Sequence, residues 1–381
     1  MPKVLIVRGH LATPWELAPW GELPDRFDVS YLRTGSNSFD TSLVPLRAVA
    51  VRARRDRLPR GAIGNAAALL AGDRYSGADA DAAFADADIV HAEELSFWFS
   101  AEAARRKKRN GFKLVQTVWE TLPFLATYRN RQARRNRVEV LAGTDLFLAA
   151  TERARFALLI EGVPEDRVAV APPGIDVSRF GVQLGAAPSE HEILSPGRLV
   201  WEKGHQDVLR AVKLLERDGL HPRVRIVGRG PEEGRLRADA GALGLSERVS
   251  IGAVPYEEMP SVYSAASAMV LASLSAASGG FHPFDVPHIF WEEQFGMVLA
   301  EGMAARVDII ACESGAIAEV LDGHGTLVPP GDWPSLAQAL ASGPLSRAPG
   351  ERVDYPAELV SRYSTTAAAA RLTAAYDTVL A

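Results

Sequence analysis

Two glutamates in the stretch FWEEQFGMVLAEGMA, residues 290–304, are the strongest candidates for chemistry in this chain. Glu293 and Glu301 lie on either side of a predicted helix start near Phe295, and eight helical steps would set their α-carbons about 12 Å apart. Paired carboxylates of glycoside hydrolases lie roughly 5 to 9.5 Å apart, so the spacing disfavours an acid and nucleophile pair. It better suits the two ends of one extended ligand, such as a nucleotide sugar whose sugar and ribose hydroxyls each donate to a carboxylate. Between them, the helix N-terminus would offer N–H groups and a positive dipole to a diphosphate.

Basic residues that could neutralise such a diphosphate occur in SPGRLVWEKG, residues 195–204. Arg198 and Lys203 are five positions apart, and an arginine fork together with a lysine point charge can stabilise a departing phosphate without a metal. Gly228 and Gly230 in IVGRGPEE would let the backbone approach a ligand, because glycine carries no side chain. Taken singly, the two basic residues also fit surface salt-bridge partners, and the glycine pair also fits a plain turn.

Short apolar strands alternating with helices must position these residues, which is the pattern of parallel α/β proteins. One such series precedes residues 181–190 and another follows them, and this segment is rich in Gly, Ala, Pro and Ser, as a linker would be. In the first helix of the second series, Val208, Val212 and Leu215 form one apolar stripe that would cover a sheet. The sequence thus predicts an α/β fold of two doubly wound domains, with ligand loops at the carboxyl ends of the strands.

The composition excludes several classes of protein. With 381 residues, 47% hydrophobic and 23% charged, the chain is ordinary for a soluble globular protein. Its single cysteine, Cys312, cannot form an internal disulfide or a cysteine-cluster metal site, which favours a reducing cytosol. No segment approaches the roughly 20 apolar residues of a spanning helix, and the apolar run at the N-terminus is too short for a signal peptide. We therefore expect a cytoplasmic protein.

Positive charge is concentrated in the N-terminal half, where residues 1–184 hold 26 Lys and Arg against 22 Asp and Glu. Much of it lies in three clusters, at residues 52–60, 105–109 and 129–137. Such clusters attract phosphates, although a solvated helix face is the simpler interpretation of each. One hypothesis is peripheral attachment of this half to the inner face of an anionic membrane. We expect no nucleic-acid partner.

The motifs occur in the order and with the spacing of a known family, because the sequence resembles the retaining family 4 glycosyltransferases of GT-B fold. The resemblance covers most of residues 168–345 and is carried by PPGIDVSRF, SPGRLVWEKG, IVGRGPE, SVYSAAS, EQFGMVLAEGMA and GTLVPPGD. It implies two Rossmann-like domains facing across a cleft, an acceptor-side domain at residues 1–180 and a nucleotide-sugar domain at residues 191–357. It also implies a C-terminal helix within residues 358–381 that crosses back to the first domain.

The resemblance implies a role for each matching residue. Arg198 and Lys203 should hold the donor diphosphate, while Glu293 should meet the donor sugar hydroxyls, and we expect these three to be the catalytic residues. Glu301 should bind the ribose. Further donor contacts are expected from the glycine turn and the helix entrance, at Gly228, Gly230, Gln294, Phe295, Gly296 and Met297.

The N-terminal domain departs from the family at two places. The loop after the first strand, RGHLATPWELAPWGEL, lacks the frequent Gly-Gly pair, and Gly9 and His10 are the residues there that we expect near the acceptor or sugar. After KLVQTV, where many members place a histidine, this chain has Trp119 and Glu120. We expect these two to line the acceptor or sugar pocket, and the alternative is a core tryptophan beside an exposed glutamate.

The expected reaction moves a sugar from a nucleotide-sugar donor, UDP- in preference to GDP-, to an acceptor hydroxyl with retention of configuration. The leaving diphosphate would take the acceptor proton, so the reaction requires no protein nucleophile, cofactor or metal, and His282 and His288 with Asp285 give no convincing metal site. The acceptor is expected to be a glycan, a lipid-linked molecule or a small molecule. The alternatives are a GT-B phosphorylase or sugar-phosphate synthase, and a catalytically silent nucleotide-sugar binder. A Rossmann-type dehydrogenase is least supported, because neither first strand is followed by GxGxxG.

Overall fold

A computed structural model of the chain describes residues 1–42, 44–58, 73–125, 130–181, 188–277 and 289–381. The chain divides into two compact units, one of Met1–Ile175 with Arg362–Ala381 and the other of Asp176–Ser361. It passes from the first unit to the second a few residues before the expected linker at 181–190, of which residues 182–187 lie outside the described part.

The first unit is built on a sheet of eight strands in the described residues. Its strands are β1 Lys3–Ile6, β2 Asp28–Thr34, β3 Arg47–Ala53, β4 Tyr75–Ser76, β5 Ile89–Glu93, β6 Lys113–Val118, β7 Leu146–Ala149 and β8 Val168–Val170. They lie in the order β4-β3-β2-β1-β5-β6-β7-β8, with only β3 and β4 antiparallel. The sequence had not predicted β3 and β4, because a mostly exposed strand such as β3 lacks the apolar run of a buried parallel strand. The order reverses between β1 and β5, which makes a switch point there.

Capping residues in the sequence mark several of the ends of the first unit's helices. They are α1 Pro14–Leu17, α2 Ala78–Ala85, α3 Trp98–Asn110, α4 Arg131–Gly143 and α5 Glu152–Ile160. The side chains of Asn130 and Thr151 accept hydrogen bonds from first-turn amides of α4 and α5. Gly111, with φ of 77°, ends α3 in the left-handed conformation that glycine adopts most easily.

The second unit contains a fully parallel sheet. Its strands are β9 Glu192–Pro196, β10 Arg223–Val227, β11 Val249–Gly252, β12 Ala268–Leu271, β15 Asp308–Cys312 and β16 Thr326–Val328, and a separate antiparallel pair consists of β13 Ala276–Ala277 and β14 Ile289–Trp291. The sheet order is β11-β10-β9-β12-β15-β16, the doubly wound order in which the direction of winding reverses between β9 and β12. The predicted α/β fold with two doubly wound sheets is confirmed.

Helices of the second unit cover this sheet. They are α6 Val177–Phe180, α7 His205–Arg217, α8 Glu233–Ala242, α9 Met259–Ala265, α10 Met297–Ala304, α11 Ile317–Leu321, α12 Trp333–Ser342 and α13 Ala357–Arg362. The predicted stripe of α7 is confirmed, since Val208, Val212 and Leu215 are buried in one core with sheet residues such as Ile193 and Val270. This burial fixes the N-terminus of α7 against the end of β9, where Arg198 and Lys203 lie.

The last helix, α14 Thr365–Leu380, packs within the first unit. Ser364 caps it by accepting from the amide of Ala367, and its Tyr376 is fully buried with Phe27 and Trp20. Its packing explains why Arg362–Ala381 belongs to the first unit although it follows the second along the chain. Among the helices of the described ranges, none combines the length and apolar character that crossing a membrane demands.

Candidate functional site

Three loops of the second unit converge at the switch point of its sheet, where a doubly wound sheet binds ligands. One follows β9, one follows β12 and one follows β15. Gly204 shows how closely the first two approach. Its φ is 68°, and a Cβ there would lie 1.8 Å from the carbonyl oxygen of Ala272, so only glycine fits.

Lys203 and Glu293 form the centre of this site. The Lys203 ammonium donates to Glu293 Oε2 at 2.5 Å, and the Ser273 hydroxyl donates to the same oxygen at 2.6 Å. Glu293 is 6% exposed, so the pair is held away from bulk water. The ammonium also lies 5.4 Å from the centre of the Trp291 ring. Because an ammonium has three donors, Lys203 can hold Glu293 and still donate to a ligand phosphate.

The backbone of Glu293 is fixed by the loop after β15. Its amide donates to Ser314 Oγ at 3.1 Å, and its carbonyl accepts from the amide of Ala316 at 2.9 Å. Gly315 has φ of 55°, and a Cβ there would lie 2.0 Å from the carbonyl oxygen of Glu293. The glutamate is therefore held in place through its main chain as well as through its carboxylate.

Glu293 is ionised at neutral pH although it is buried. Burial by itself would raise the pKa of the carboxyl, but the Lys203 charge and hydrogen bond, the Ser273 hydrogen bond and the Arg198 charge together outweigh it. The pKa of Glu293 therefore lies below its usual value. An ionised carboxylate that is only partly saturated with donors can accept hydrogen bonds from the hydroxyls of a sugar.

Arg198 is held by its main chain and leaves its guanidinium exposed. The His205 Nε2–H donates to the Arg198 carbonyl at 3.1 Å, and because a carbonyl only accepts, His205 Nδ1 must accept from the Ser195 hydroxyl at 2.8 Å. Burial, with a smaller contribution from the Lys203 charge, lowers the pKa of His205 to about 4, so the imidazole stays neutral. In the described part of the chain, the Arg198 guanidinium has no ion-pair partner, which leaves it available to an anion.

Gly228 and Gly230 lie beside the Arg198 loop. A Cβ on Gly228 would lie 1.8 Å from the carbonyl oxygen of Gly197, and one on Gly230 would lie 2.2 Å from that of Leu199. The Leu199 amide donates to the Arg229 carbonyl at 2.9 Å. Close packing of these two loops is thus one reason for both glycines, a reason that sequence reasoning had not identified.

The segment Gln294–Met297 forms the entrance to α10. The helix begins at Met297, two residues after the predicted start near Phe295. The reason is Gly296, whose φ of 76° places it in the left-handed region and outside the helix. Phe295 is buried, and the first amides of α10 belong to a helix N-terminus that is suited to an anion.

Glu301 is buried on α10 among aromatic hydroxyls. The Tyr263 hydroxyl donates to Glu301 Oε2 at 2.8 Å, and Tyr256 is a second hydrogen-bond partner. Burial raises the pKa of Glu301 to about 7, against the opposing effects of both tyrosines and of the Arg179 charge. The side chain is thus close to half-protonated at neutral pH, and a ligand hydroxyl that needs a carboxylate would favour the ionised form.

In the first unit, Gly9 and His10 follow β1 at the switch point. Gly9 has φ of 59°, its amide donates to the Tyr75 hydroxyl at 3.0 Å, and a Cβ would lie 2.5 Å from the Phe99 ring. Burial and the charge of Arg55 lower the pKa of His10 to about 4. The Gly9 amide is therefore already used within the protein, whereas the neutral His10 ring remains partly exposed.

Trp119 and Glu120 follow β6, and both are partly exposed. Their amides donate to Glu94 Oε1 at 2.8 and 3.1 Å. Glu94 has φ of 63°, an uncommon conformation for a residue with a side chain, and such strain is often found at functional sites. The carboxylate of Glu120 accepts from the amides of Thr121 and Leu122 at 3.1 Å each, so it also stabilises the local turn.

Sequence reasoning missed the residues that position the predicted ones. Glu293 is contacted by Ser273 and Ser314, and Arg198 is contacted by His205. Glu301 is contacted by Tyr263, and the Trp119 loop by Glu94. His205 directly follows SPGRLVWEKG and Tyr263 lies within SVYSAAS, so these two motifs could have identified them. The loop residues considered as metal ligands, His282, Asp285 and His288, lie outside the described part of the chain. Among the residues that the structure describes, no group of three His, Cys, Asp or Glu side chains is suited to a metal ion.

Two family profiles match the chain in succession. Residues 25–179 match "Glycosyltransferase Family 4", and residues 179–345 match "Glycosyl transferases group 1". The matches adjoin close to the point at which the chain passes from the first compact unit to the second.

Two of the curated relatives that the chain matches align with about half of it. It is 31% identical over 202 residues to the putative colanic acid biosynthesis glycosyltransferase WcaL of Escherichia coli (strain K12), covering 52% of this chain and 47% of the relative. It is 32% identical over 224 residues to the D-inositol 3-phosphate glycosyltransferase of Nocardia farcinica (strain IFM 10152), covering 53% of this chain and 46% of the relative. The chain thus spans about half the length of these relatives.

A solved structure covers the whole length. Anabaena Alr3699/HepE, crystallised in complex with UDP and glucose, superimposes with a TM-score of 0.71 and 17% identity, covering 99% of this chain and 100% of that one. At this level of identity, the similarity establishes a shared fold.

Proposed function

Because this chain belongs to the family 4 glycosyltransferases of GT-B fold, we propose that it transfers a sugar from a UDP-sugar to an acceptor hydroxyl, with retention of configuration and without a metal ion. The observation that carries the proposal is the buried Lys203–Glu293 pair, with Ser273 on the same carboxylate oxygen and Arg198 close enough to act on it. It combines, at the switch point of the second sheet, an acceptor for sugar hydroxyls and two cations for a diphosphate.

In the proposed reaction, the bond between the anomeric carbon and the diphosphate oxygen breaks while the acceptor oxygen bonds to the same face of that carbon. The acceptor proton passes to the departing phosphate oxygen. Arg198 and Lys203 stabilise the negative charge that develops there, and the amides at the start of α10 add to this stabilisation. Glu293 orients the sugar through its hydroxyls, and Glu301 accepts from the ribose.

The choice of a UDP-sugar is supported by the fold shared with Alr3699/HepE, whose crystals contain UDP and glucose. The acceptor is proposed to be a glycan, a lipid-linked molecule or a small molecule such as a polyol. This is supported by two relatives, one named for colanic acid biosynthesis and the other for D-inositol 3-phosphate. Gly9, His10, Trp119 and Glu120 are the proposed contacts of the first unit, and its basic clusters are proposed to approach an anionic membrane where the acceptor is lipid-linked.

The test is release of nucleoside diphosphate by the purified full chain from UDP-, GDP-, ADP- and TDP-sugars, with EDTA present and without added acceptor. We expect slow hydrolysis of a UDP-sugar that EDTA does not reduce, since two side-chain cations carry the charge of the leaving group. Hydrolysis of a donor with another nucleotide would change the proposed donor but would leave the transferase assignment in place. The proposal would be contradicted if the chain neither hydrolysed nor bound any of the donors.

Glu293→Gln keeps the shape of the side chain but removes the charge that holds Lys203 and accepts from the sugar. We expect it to lower diphosphate release by roughly 100-fold or more, measured at saturating donor. Glu313→Gln is the matched control, because this glutamate is exposed in the adjacent loop, and its rate should stay within about twofold of wild type. Equal rates for the two variants would exclude the assigned role of Glu293.

A further inference from the structure

A cavity of about 560 Å³ opens in the first unit between β4, α2 and α3, and none of its lining residues is among those assigned above to donor or acceptor. Its volume lies in the range of about 300 to 1,000 Å³ that small-molecule sites occupy. The lining is dominated by arginines and consists of Arg74, Tyr75, Ser76, Gly77, Asp81, Glu102, Arg105, Arg106 and Arg109.

One of these arginines is structural. Arg106 is buried, donates from Nε to Glu102 at 2.9 Å and from Nη1 to Asp81 at 2.5 Å, and lies over the Phe84 ring. Glu102 also accepts from the Tyr75 amide at 2.8 Å. Both carboxylates of the cavity are therefore committed to Arg106 and to the end of β4.

The other three arginines are not held by ion pairs of this kind, although the charge of Arg105 acts on Glu102. Arg74, Arg105 and Arg109 are exposed, and none has an ion-pair partner within the ranges that the structure describes. Arg105 and Arg109 are four positions apart on α3, an arrangement in which like charges repel. The dipole at the C-terminal end of α3 favours a cation at Arg109, but it gives no reason for Arg74 on the neighbouring strand. With four arginines against the carboxylates of Asp81 and Glu102, the lining of the cavity thus carries an excess of two positive charges.

We propose that this cavity binds the phosphate or diphosphate group of a second ligand, distinct from the sugar donor. One guanidinium group can donate two parallel hydrogen bonds to a phosphate. Three guanidinium groups on two elements can therefore contact a diphosphate from more than one side. The Ser76 side chain adds a hydroxyl to the same lining. The ligand is a phosphorylated small molecule or the headgroup of an anionic lipid, which share this chemistry.

The test uses the full chain and sodium pyrophosphate, followed by hydrogen–deuterium exchange of peptides within residues 74–85 and 98–110. A localised readout is needed because the donor site of the second unit is also expected to bind a diphosphate. We expect saturable protection in both peptides. Arg105→Ala and Arg109→Ala should each raise the pyrophosphate Kd by roughly 10-fold, because each removes charge-assisted hydrogen bonds.

Lys108→Ala is the matched control, because Lys108 is exposed on the same helix but does not line the cavity. Its pyrophosphate Kd should stay within about twofold of wild type. If Lys108→Ala weakened pyrophosphate binding as much as the arginine variants, general surface charge would explain the effect and the proposal would be overturned. Absence of saturable protection in the wild-type chain would overturn it as well. Far-UV circular dichroism of each variant verifies that the chain is folded.

Sedimentation with phosphatidylcholine vesicles, with and without phosphatidylglycerol, identifies the source of the phosphate. Binding only to the anionic vesicles, lost in Arg105→Ala and displaced by pyrophosphate, assigns the cavity to a lipid headgroup. No vesicle binding, together with protection by pyrophosphate, assigns it to a soluble phosphorylated molecule.

Discussion

At the scale of single residues, Glu301 shows how burial adjusts a carboxylate to a ligand. The side chain is removed from water on α10 and meets two tyrosine hydroxyls, and burial raises its pKa to about 7. A protonated carboxyl can accept fewer hydrogen bonds than an ionised one. A ribose that donates from two hydroxyls would therefore bind best when Glu301 is ionised.

We accordingly expect the KM for the donor to depend on pH around neutrality. It should be lowest above the Glu301 pKa of about 7 and should rise as the pH falls through that value, because more of the free enzyme then carries the protonated carboxyl. The measurement is the donor KM between about pH 6 and about pH 8.5, an interval that brackets this pKa. Glu301→Gln, which cannot ionise, should bind more weakly with a KM that no longer changes in this interval. A wild-type KM that stays constant there would contradict the role given to Glu301.

At the scale of elements, glycines without room for a Cβ hold the site loops together. Gly204 brings the loop after β9 against the end of β12, and Gly315 brings the loop after β15 against the backbone of Glu293. Gly228 and Gly230 pack against the loop that carries Arg198. The functional side chains are thus positioned by contacts between main chains, which their own residue types do not reveal.

Gly204→Ala should destabilise the second unit. The added Cβ would meet the Ala272 carbonyl and would force a left-handed conformation on alanine, so we expect a loss of about 2 kcal/mol or more in the free energy of unfolding. Urea denaturation measures it. Gly234→Ala is the control, because this helical glycine has open space around its Cβ position and the change should stabilise by up to about 1 kcal/mol. Equal stability of the two variants would show that the close approach at Gly204 is not constraining.

At the scale of the whole molecule, the chain returns to its first unit at the C-terminus. Helix α14 brings Tyr376 into the core, where its hydroxyl accepts from Trp20 Nε1 and contacts His91 Nδ1, both at 2.7 Å. His91 Nε2 contacts Thr117 Oγ1 at 2.7 Å, and burial lowers the pKa of this histidine well below its usual value. Residues from four distant parts of the sequence therefore form one buried polar network.

Tyr376→Phe should destabilise the first unit by about 1 to 3 kcal/mol, because it leaves the buried Trp20 and His91 nitrogens without their partner. Chemical denaturation followed by tryptophan fluorescence measures the change. Thr378→Ala is the matched control on the exposed side of the same helix and should alter stability by no more than about 0.5 kcal/mol. If the Tyr376→Phe protein were as stable as wild type, the hydrogen-bond network would not contribute to the stability of the first unit.

The sequence by itself determined the α/β class, most of the parallel strands and the family. Buried parallel strands are continuous apolar runs, and the stripe of α7 repeats at helical spacing, so both are visible in one dimension. The motifs around Arg198, Lys203, Glu293 and Glu301 could also be identified in the sequence, because each combines a charged residue with glycines at a strand or helix end. Strands β3 and β4 could not be predicted in this way, since β3 is mostly exposed and β4 has only two residues, so neither shows an apolar run.

Only the tertiary structure decided what surrounds those residues. Ser273 and Tyr263 contact Glu293 and Glu301 across intervals of 20 and 38 residues, which no local pattern encodes. The start of α10 depended on the left-handed Gly296 rather than on helix propensity. The pKa values of Glu293 and Glu301 move in opposite directions although both are buried glutamates, because one faces a lysine and the other two tyrosines. Chemical character at a site is set by neighbours in space, and the chain alone does not specify which neighbours these are.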